Sequence, residues 1–580
     1  MQKKESPIRL DGTWHFAVDS TDRGVAEGWF RTDWDRRDWR EITVPDYWDR
    51  YNLESYDGVG WYWRTVVVED TSAPMTLYFA GVDDDADVWL NGERVGSHAG
   101  YSDAFWFDVT SHLRKGKNDL VVRVVDKGGP GGIYKPITLV RSDRIDDVLR
   151  TKYSRMKARP SAEWVKNAVI YEFYVRSFSP EGTFRGVEKR LPELKRLGVT
   201  VLWLMPIHPV GELNRKGSLG SPYSVRDYYA VNPEFGTLDD FRSLVRAVHA
   251  AGMHIITDLV ANHTSWDSVL LMEHPEWFTH NAEGAIVAPN ADWTDVADLN
   301  YDQHELRKYM IRMMKYWVAD EHIDGYRCDD AELVPTDFWE TARQELDAIK
   351  PVMMLSEGTL PEHHVEAFDL TYSWNVYDVL GKVINDTTSA TIFNALLRTE
   401  SYQFPRGSLR LRFNTNHDKN AFDAPAVEKF GPGGAMASAV LVFTMPGVPL
   451  IYNGEEVGNP KRLSLFERVP IDWSRGEAFR TLYEGLTALR AAHPALREGD
   501  DQPVETTDAP KIYAFVRSTG ADRALVVISF ARTQVTTLLK GKSVAGSVWT
   551  RVFGNGPESL PADSQRITLP AFGYAVYVSR

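Results

Sequence analysis

The chain has 580 residues, 43% of them hydrophobic and 25% charged, the balance of a soluble globular protein of two to four domains. Its net charge of −15 argues against nucleic acid or an anionic membrane as partner, and its one cysteine, Cys328, rules out an internal disulfide or a cysteine-held metal cluster. No apolar run approaches the roughly 20 residues of a membrane span, and residues 1–7 carry charge without an apolar core, so no signal peptide is visible and the compartment stays open: cytoplasmic, or secreted with a signal removed.

Residues 1–140 read as an N-terminal β-sandwich. The runs 61–68, 75–79 and 119–125 are short and rich in β-branched and aromatic residues, and turn residues such as Asn91-Gly92 and Lys115-Gly116-Lys117-Asn118 separate them. Residues 141–160 are charged and end in Arg159-Pro160, which reads as a linker or a connecting helix. Between 161 and 497 the pattern changes: apolar runs at 169–175, 201–205, 255–260, 325–329, 352–357, 368–374, 411–416 and 448–452 alternate with helical stretches such as 187–197, 238–251 and 306–319. Runs this apolar suit parallel strands buried on both faces, and eight of them with helical crossovers predict an α/β fold, the (β/α)8 TIM barrel, with an insert at 263–299 after the third strand. From 498 to 580 short β runs return, as in 511–516 and 524–528, and predict a small C-terminal β-sandwich.

The chemically active residue types fall at barrel strand ends, where such barrels build their sites. Asp258, Asn262 and His263 follow strand three, Arg327 and Asp329 end strand four, Glu357 ends strand five, and Asn416-His417-Asp418 ends strand seven. Arg327 and Asp329 are two apart on a strand and share a face, so the guanidinium is expected to keep Asp329 ionised. Glu357 has no adjacent cation in sequence, so burial and the nearby Asp329 should raise its pKa. Neighbouring strands lie about 4.8 Å apart. That suits the ~5 Å carboxyl separation of a retaining glycosidase, with Asp329 as nucleophile and Glu357 as acid, then base. Asp418 is a third carboxylate, and His263 and His417 can donate to sugar hydroxyls. The same His and Asp types could instead hold a divalent metal, but no HExxH-like spacing occurs and Arg327 disfavours a cation beside Asp329. Cys328 lies inside this strand and reads as a packed, inert thiol.

Together the segments Asp258-Leu259-Val260-Ala261-Asn262-His263, Gly325-Tyr326-Arg327-Cys328-Asp329, Glu357 and Phe413-Asn414-Thr415-Asn416-His417-Asp418 resemble, in order, the signature regions of the α-amylase superfamily, glycoside hydrolase family thirteen. Residues 221–228 resemble its loop that carries an aromatic platform, here Tyr223. The resemblance implies Asp329 as nucleophile, Glu357 as acid/base and Asp418 as transition-state stabiliser. Tyr223, His263, Arg327 and His417 would shape the subsite for the cleaved sugar, with Asp258 as a structural partner. It implies a retaining hydrolase that cleaves α-1,4-glucosidic bonds in malto-oligosaccharides, starch-type glucans or cyclodextrins through a covalent glycosyl-Asp intermediate. A transglycosylase or isomerase using that intermediate, or a non-catalytic carbohydrate-binding protein on the same fold, are the alternatives. Oligomeric state is left open.

Two departures stand out. The third and fourth positions after Asp329 are Glu332 and Leu333, where many α-amylases carry Lys-His, and this is where substrate preference is expected to be set. Asn262 matches a family calcium position, but Asn300 stands where an aspartate ligand is common, and residues 179–184 lack an Asp-rich loop. No cofactor is required, and a Ca2+ ion near Asn262 is the one the resemblance offers. The N-terminal segment resembles the sugar-binding jelly-roll domain of β-galactosidase and β-glucuronidase relatives in residues 10–16, 87–92, 107–110 and 131–134. Its Trp14, Trp61 and Trp89 are expected in its core.

Overall fold

The computed structural model describes residues 7–53, 56–100, 104–128, 130–508 and 510–579. It divides into two compact units, Met1–Arg155 with Thr399–Gln403, and Met156–Arg398 with Phe404–Arg580. Among the described residues, the first unit holds two antiparallel sheets. The larger runs in the order Arg40–Val44, Gly12–Val18, Gly58–Val68, Gly116–Asp126, Asp85–Leu90 and Glu93–Ala99, and the smaller contains Ile137–Arg141, Met75–Phe79 and Phe105–Asp108. Period-two alternation gives the larger sheet two apolar faces. Trp14, Phe16 and Tyr62 join one core cluster, while Trp61 stacks on Trp89 at 5.3 Å in another. Asn91 and Gly92, at φ 55° and 84°, form the two-residue hairpin turn their sequence announces. Gly116 differs from expectation: it opens a strand paired along its length with Gly58–Val68. Residues 141–160 are not bare linker, since they contain the helix Ile145–Leu149.

The second unit is the expected barrel. Among its described residues, eight parallel strands close on one another: β1 (Ile170–Phe173), β2 (Val201–Leu204), β3 (His254–Val260), β4 (Gly325–Asp329), β5 (Met353–Ser356), β6 (Leu370–Tyr372), β7 (Leu409–Arg412) and β8 (Val448–Tyr452), with β8 pairing back to β1. Alternate residues explain why the strands read as unbroken apolar runs. Outward side chains such as Tyr171, Leu202, Ile255, Tyr326, Cys328 and Met354 pack in the large cluster that also takes in the barrel helices, whereas Ile170, Trp203, Ile256, Leu355, Leu370, Leu411 and Leu450 fill the interior. Two residues further along the same inward faces, the chain turns polar: Ile170 leads to Glu172, Ile256 to Asp258, Gly325 to Arg327 and Asp329, and Leu355 to Glu357. Cys328 is buried on the outward face, where burial pushes its thiol well above its usual range, so it is inert packing.

The insert after β3 pairs His263–Ser265 with Val296–Asp298. Strand β7 stops at Arg412, so Asn416, His417 and Asp418 stand beyond it rather than on it, the last two opening the helical turn that runs into Lys419–Asp423. The remaining chain forms a sheet around Ile512–Thr519, Asp522–Ser529 and Tyr574–Ser579, faced by Val535–Lys540 and Arg566–Leu569 over a core that includes Trp549 and Val527.

Gly325 sets the start of β4. Its φ is +142°, and a Cβ there would lie 1.9 Å from the Met353 carbonyl oxygen, a backbone atom that cannot turn aside. Gly325→Ala is therefore expected to lose ~3 kcal/mol or more, read as a fall in denaturation midpoint. Because Arg327 follows two residues later, ligand binding should fall with it. An unchanged midpoint would show that β4 relaxes without penalty.

Candidate active site

One fully buried guanidinium organises the strand ends. Arg327 donates from Nη1 to Asp258 Oδ1 at 2.8 Å and to Asp329 Oδ1 at 2.6 Å, and from Nε to the Tyr372 hydroxyl at 3.2 Å. Its Nη2 lies 2.6 Å from Glu357 Oε2 as an ion pair, although outside good hydrogen-bond alignment. The register makes this possible: Asp258 pairs with Arg327 across β3 and β4, and Cys328 with Ser356 across β4 and β5, so Asp329 and Glu357 are level. Glu357 thus has a cation through the fold that it lacks in sequence. The Arg327 side chain is further enclosed by the rings of Trp203, Tyr223 and Tyr372 at 5.3, 5.8 and 5.8 Å.

Sharing one cation among three carboxylates leaves burial to raise both Asp329 and Glu357. Burial pushes Glu357 up to about 8, and the charges of Asp329 and Asp418 push the same way against Arg327. Burial also pushes Asp329 up to about 8 rather than leaving it low, with Arg327 opposing. The Asp329 charge is one cause of the rise at Glu357, so the two carboxyls titrate together. The aligned Nη1–H bond favours the charge on Asp329, leaving the proton on Glu357.

A second buried pair supports the first. His417 Nδ1 donates to Glu172 Oε1 at 2.5 Å, and its Nε2 lies 2.7 Å from the Tyr223 hydroxyl and 3.2 Å from Asp418 Oδ2. Burial would lower this imidazole, but Asp418 and Glu172 outweigh it and raise it to about 9, so it is a cation at neutral pH. Tyr223 stacks on it at 5.3 Å and donates a hydrogen bond from its hydroxyl to Asp258 Oδ2 at 3.2 Å. Both nitrogens of His417 are therefore committed to protein groups before any sugar arrives. Glu172 is absent from the sequence-based set. The available signal is a lone carboxylate at an inward position of an otherwise apolar strand. His263 differs: burial lowers it to about 4, so it is neutral, and it meets Trp293 edge-on at 5.3 Å.

The loop after β4 holds Glu357 from below. Asp330, at φ 41°, donates its N–H to Glu357 Oε2 at 2.9 Å, and the Ala331 N–H reaches the Glu357 carbonyl at 3.2 Å. Glu332 packs against Gly358 and accepts from the Thr359 N–H and, at 3.2 Å, its hydroxyl. Leu333 is exposed. Neither Glu332 nor Leu333 is among the residues that line the cleft, and Glu332 ties down the Glu357 loop.

The cleft encloses about 340 Å³. Tyr223, His263, Asp329, Glu357, His417 and Asp418 line it, with Arg327 and Asp258 beneath them. Asp330, Lys216, Trp293, Phe422 and Phe466 complete the wall and come from loops that sequence periodicity does not order. As a metal centre the site fits poorly. His263, Asp329 and Asp330 bring ligand atoms within 4.8 Å of one another, but Asp329 already carries the Arg327 guanidinium. Calcium near Asn262 fits no better. The Asn262 carboxamide nitrogen faces His263 at 3.4 Å, the Asn262 backbone carbonyl takes the Leu299 N–H, and the Asn300 carboxamide oxygen takes the Asp302 N–H. Among the described residues no group of three His, Asp or Glu side chains surrounds them.

Comparison with known proteins agrees with this geometry. The "Alpha amylase, catalytic domain" family matches residues 142–293 and 290–499, "Glycosyl hydrolases family 2, sugar binding domain" matches 8–135, and "Maltogenic Amylase, C-terminal domain" matches 504–576. The crystal structure of a noncanonic maltogenic alpha-amylase, AmyB, from Thermotoga neapolitana is 31% identical, with a TM-score of 0.66 over 72% of this chain and 100% of that one. Alpha-amylase MalA of Haloarcula japonica is 27% identical over 69% of this chain, which spans only 61% of that relative's length. A cyclomaltodextrinase of Geobacillus thermopakistaniensis is 25% identical over 72% of this chain and 77% of its own. With its signature segments converging on one strand-end cleft and the catalytic-domain match running through the whole barrel, the chain belongs to the α-amylase catalytic-domain family.

Proposed function

We propose that this protein is a retaining glycoside hydrolase that cleaves α-1,4-glucosidic bonds in malto-oligosaccharides, starch-type glucans or cyclodextrins. The observation that carries the reading is the pair of carboxyls, Asp329 and Glu357, level on adjacent strands and both held by buried Arg327. Asp329 attacks the anomeric carbon with the oxygen that does not take the Nη1 bond, while Glu357 gives its proton to the departing glycosidic oxygen. The charged Glu357 then removes a proton from water, which releases the sugar from Asp329. Asp418 and the anionic surroundings stabilise the cationic transition state. Relatives named as a maltogenic amylase and a cyclomaltodextrinase support a short α-glucan substrate. Phe422, 62% exposed, and Phe466 at the cleft wall favour one further reading: a sugar acceptor stacked there would turn the same intermediate to transglycosylation. No helix among the described residues is long and apolar enough to cross a membrane.

Asp329→Asn should reduce kcat/KM on a chromogenic maltoside by roughly 10⁴-fold or more with the fold intact by circular dichroism. Wild-type rates in that variant would overturn the assignment. Early products from starch, cyclodextrins and maltotriose, with and without excess maltose, separate hydrolysis from transfer.

The pH profile follows from the pair. Glu357 must enter the reaction protonated, so kcat/KM should hold through neutrality and fall as pH rises through about 8. The same raised pKa means the folded state binds more protons than the unfolded chain between the ordinary carboxyl range and about 8, so stability from this group declines with rising pH across that window. An activity limb near 4 to 5, with no loss up to pH 9, would contradict the assignment.

Glu332 acts through the loop that carries Glu357. Glu332→Ala should lower kcat by roughly tenfold while KM changes little, because positioning is lost and sugar contacts are not. A change confined to KM would mean that Glu332 touches substrate after all.

A further inference from the structure

The N-terminal unit contains a group of acids that no catalytic step uses. Asp83 and Asp84 precede the strand Asp85–Leu90, and Asp126 ends the strand Gly116–Asp126; the pairing of Asp85 with Val125 brings them together. Each offers a carboxylate oxygen, and these oxygens lie within 4.8 Å of one another. A Ca2+ ion binds oxygen at about 2.3–2.6 Å, so ligands on opposite sides of one ion are separated by about this distance.

What separates this group from an ordinary acidic surface is burial without a cation. Asp83 is 8% exposed and Asp126 2%. The Oδ2 of each is buried and receives no hydrogen bond from any N–H; the two carboxyls face each other. The second oxygen of Asp126 is used, accepting the Gly128 N–H at 2.8 Å, and Asp84 Oδ2 accepts the Lys127 N–H at 2.7 Å. Among the described residues no arginine or lysine forms an ion pair with any of the three; the Lys127 ammonium goes to Asp85 at 2.6 Å. Asp49, bound to the Gly131 N–H, adds a further negative charge nearby. Buried like charges without a cation are costly, and a cation or a proton must offset them.

We propose that Asp83, Asp84 and Asp126 form a binding site for a hard divalent cation, Ca2+ by its all-oxygen ligand set, which ties the loop at 83–84 to the end of the strand at Asp126. The competing occupant is a proton shared between Asp83 and Asp126, a state that burial and the neighbouring acids make accessible by pushing Asp83 up to about 8. Calcium would displace that proton on binding.

The site has a built-in reporter. The Trp48 ring and Asp126 Oδ2 both crowd Gly131, so the indole lies close enough to sensitise a bound lanthanide. Full-length protein stripped with EGTA should show tryptophan-excited Tb3+ luminescence that saturates with one ion, and Ca2+ should displace it more effectively than Mg2+. Saturating Ca2+ should raise the first melting transition by about 5 °C. The double variant Asp83→Asn, Asp126→Asn should lose both responses. If it fails to fold, Asp84→Asn should weaken Tb3+ binding at least tenfold. The proposal is overturned if Tb3+ gives no sensitised signal, if the signal persists unchanged in these variants, or if the melting point follows pH alone with no response to Ca2+, which identifies the shared proton as the occupant.

Discussion

The site depends on a single desolvated cation. Arg327 has no contact with water and bonds to carboxylates from β3 and β4 while pairing with another at the end of β5. Burying a guanidinium is expensive, and removing one partner from such a cluster strands the others, so the three carboxylates and Arg327 stand or fall together. His417 and Glu172 form a second buried pair joined to the first through Tyr223 and Asp258. Arg327 and His417 face the carboxyls of Asp258, Glu172, Asp329, Glu357 and Asp418, so acids outnumber cations in this cluster. The fold fixes these groups in place before any ligand arrives.

The apolar barrel below makes that cluster possible. Trp203, Tyr372 and the interior aliphatic side chains exclude water from beneath Arg327, while the strand hydrogen bonds hold Asp258, Arg327 and Asp329 in fixed register. Gly325 permits the close approach of β4 to β5, and everything two and four residues later inherits its position.

How much of this could be read from sequence follows from which physical rule places each part. The eight strands were legible because burial on both faces leaves runs such as 201–204 and 448–452 apolar throughout. Asp258, Arg327, Asp329 and Glu357 were legible because strand periodicity and strand ends specify both face and level. His417 and Asp418 were legible as a motif, but not as residues beyond a short β7. The role of His417 was not, since its partner Glu172 lies 245 residues away. Trp293, Phe422 and Phe466 stayed hidden for a related reason: each comes from a different long loop, and only closure of the barrel brings those loops to one wall. The rise at Glu357 follows from burial and Asp329 as the sequence suggests, while the upward push on Asp329 comes from burial, which the local Arg327 pair does not reveal.

The loop after β4 fixes the segment that carries Glu357: the Asp330 N–H holds one Glu357 oxygen, the Ala331 N–H holds its carbonyl, and Glu332 clamps Thr359 two residues on. The left-handed conformation at Asp330 directs that N–H, and for a non-glycine residue such a backbone costs about a kcal/mol or more. The cost is tolerable because the conformation orients Glu357, and because it turns the Asp330 side chain into the cleft as an additional acid beside Asp329. A lysine at 332 would have no acceptor for the Thr359 N–H, so this loop arrangement depends on the glutamate.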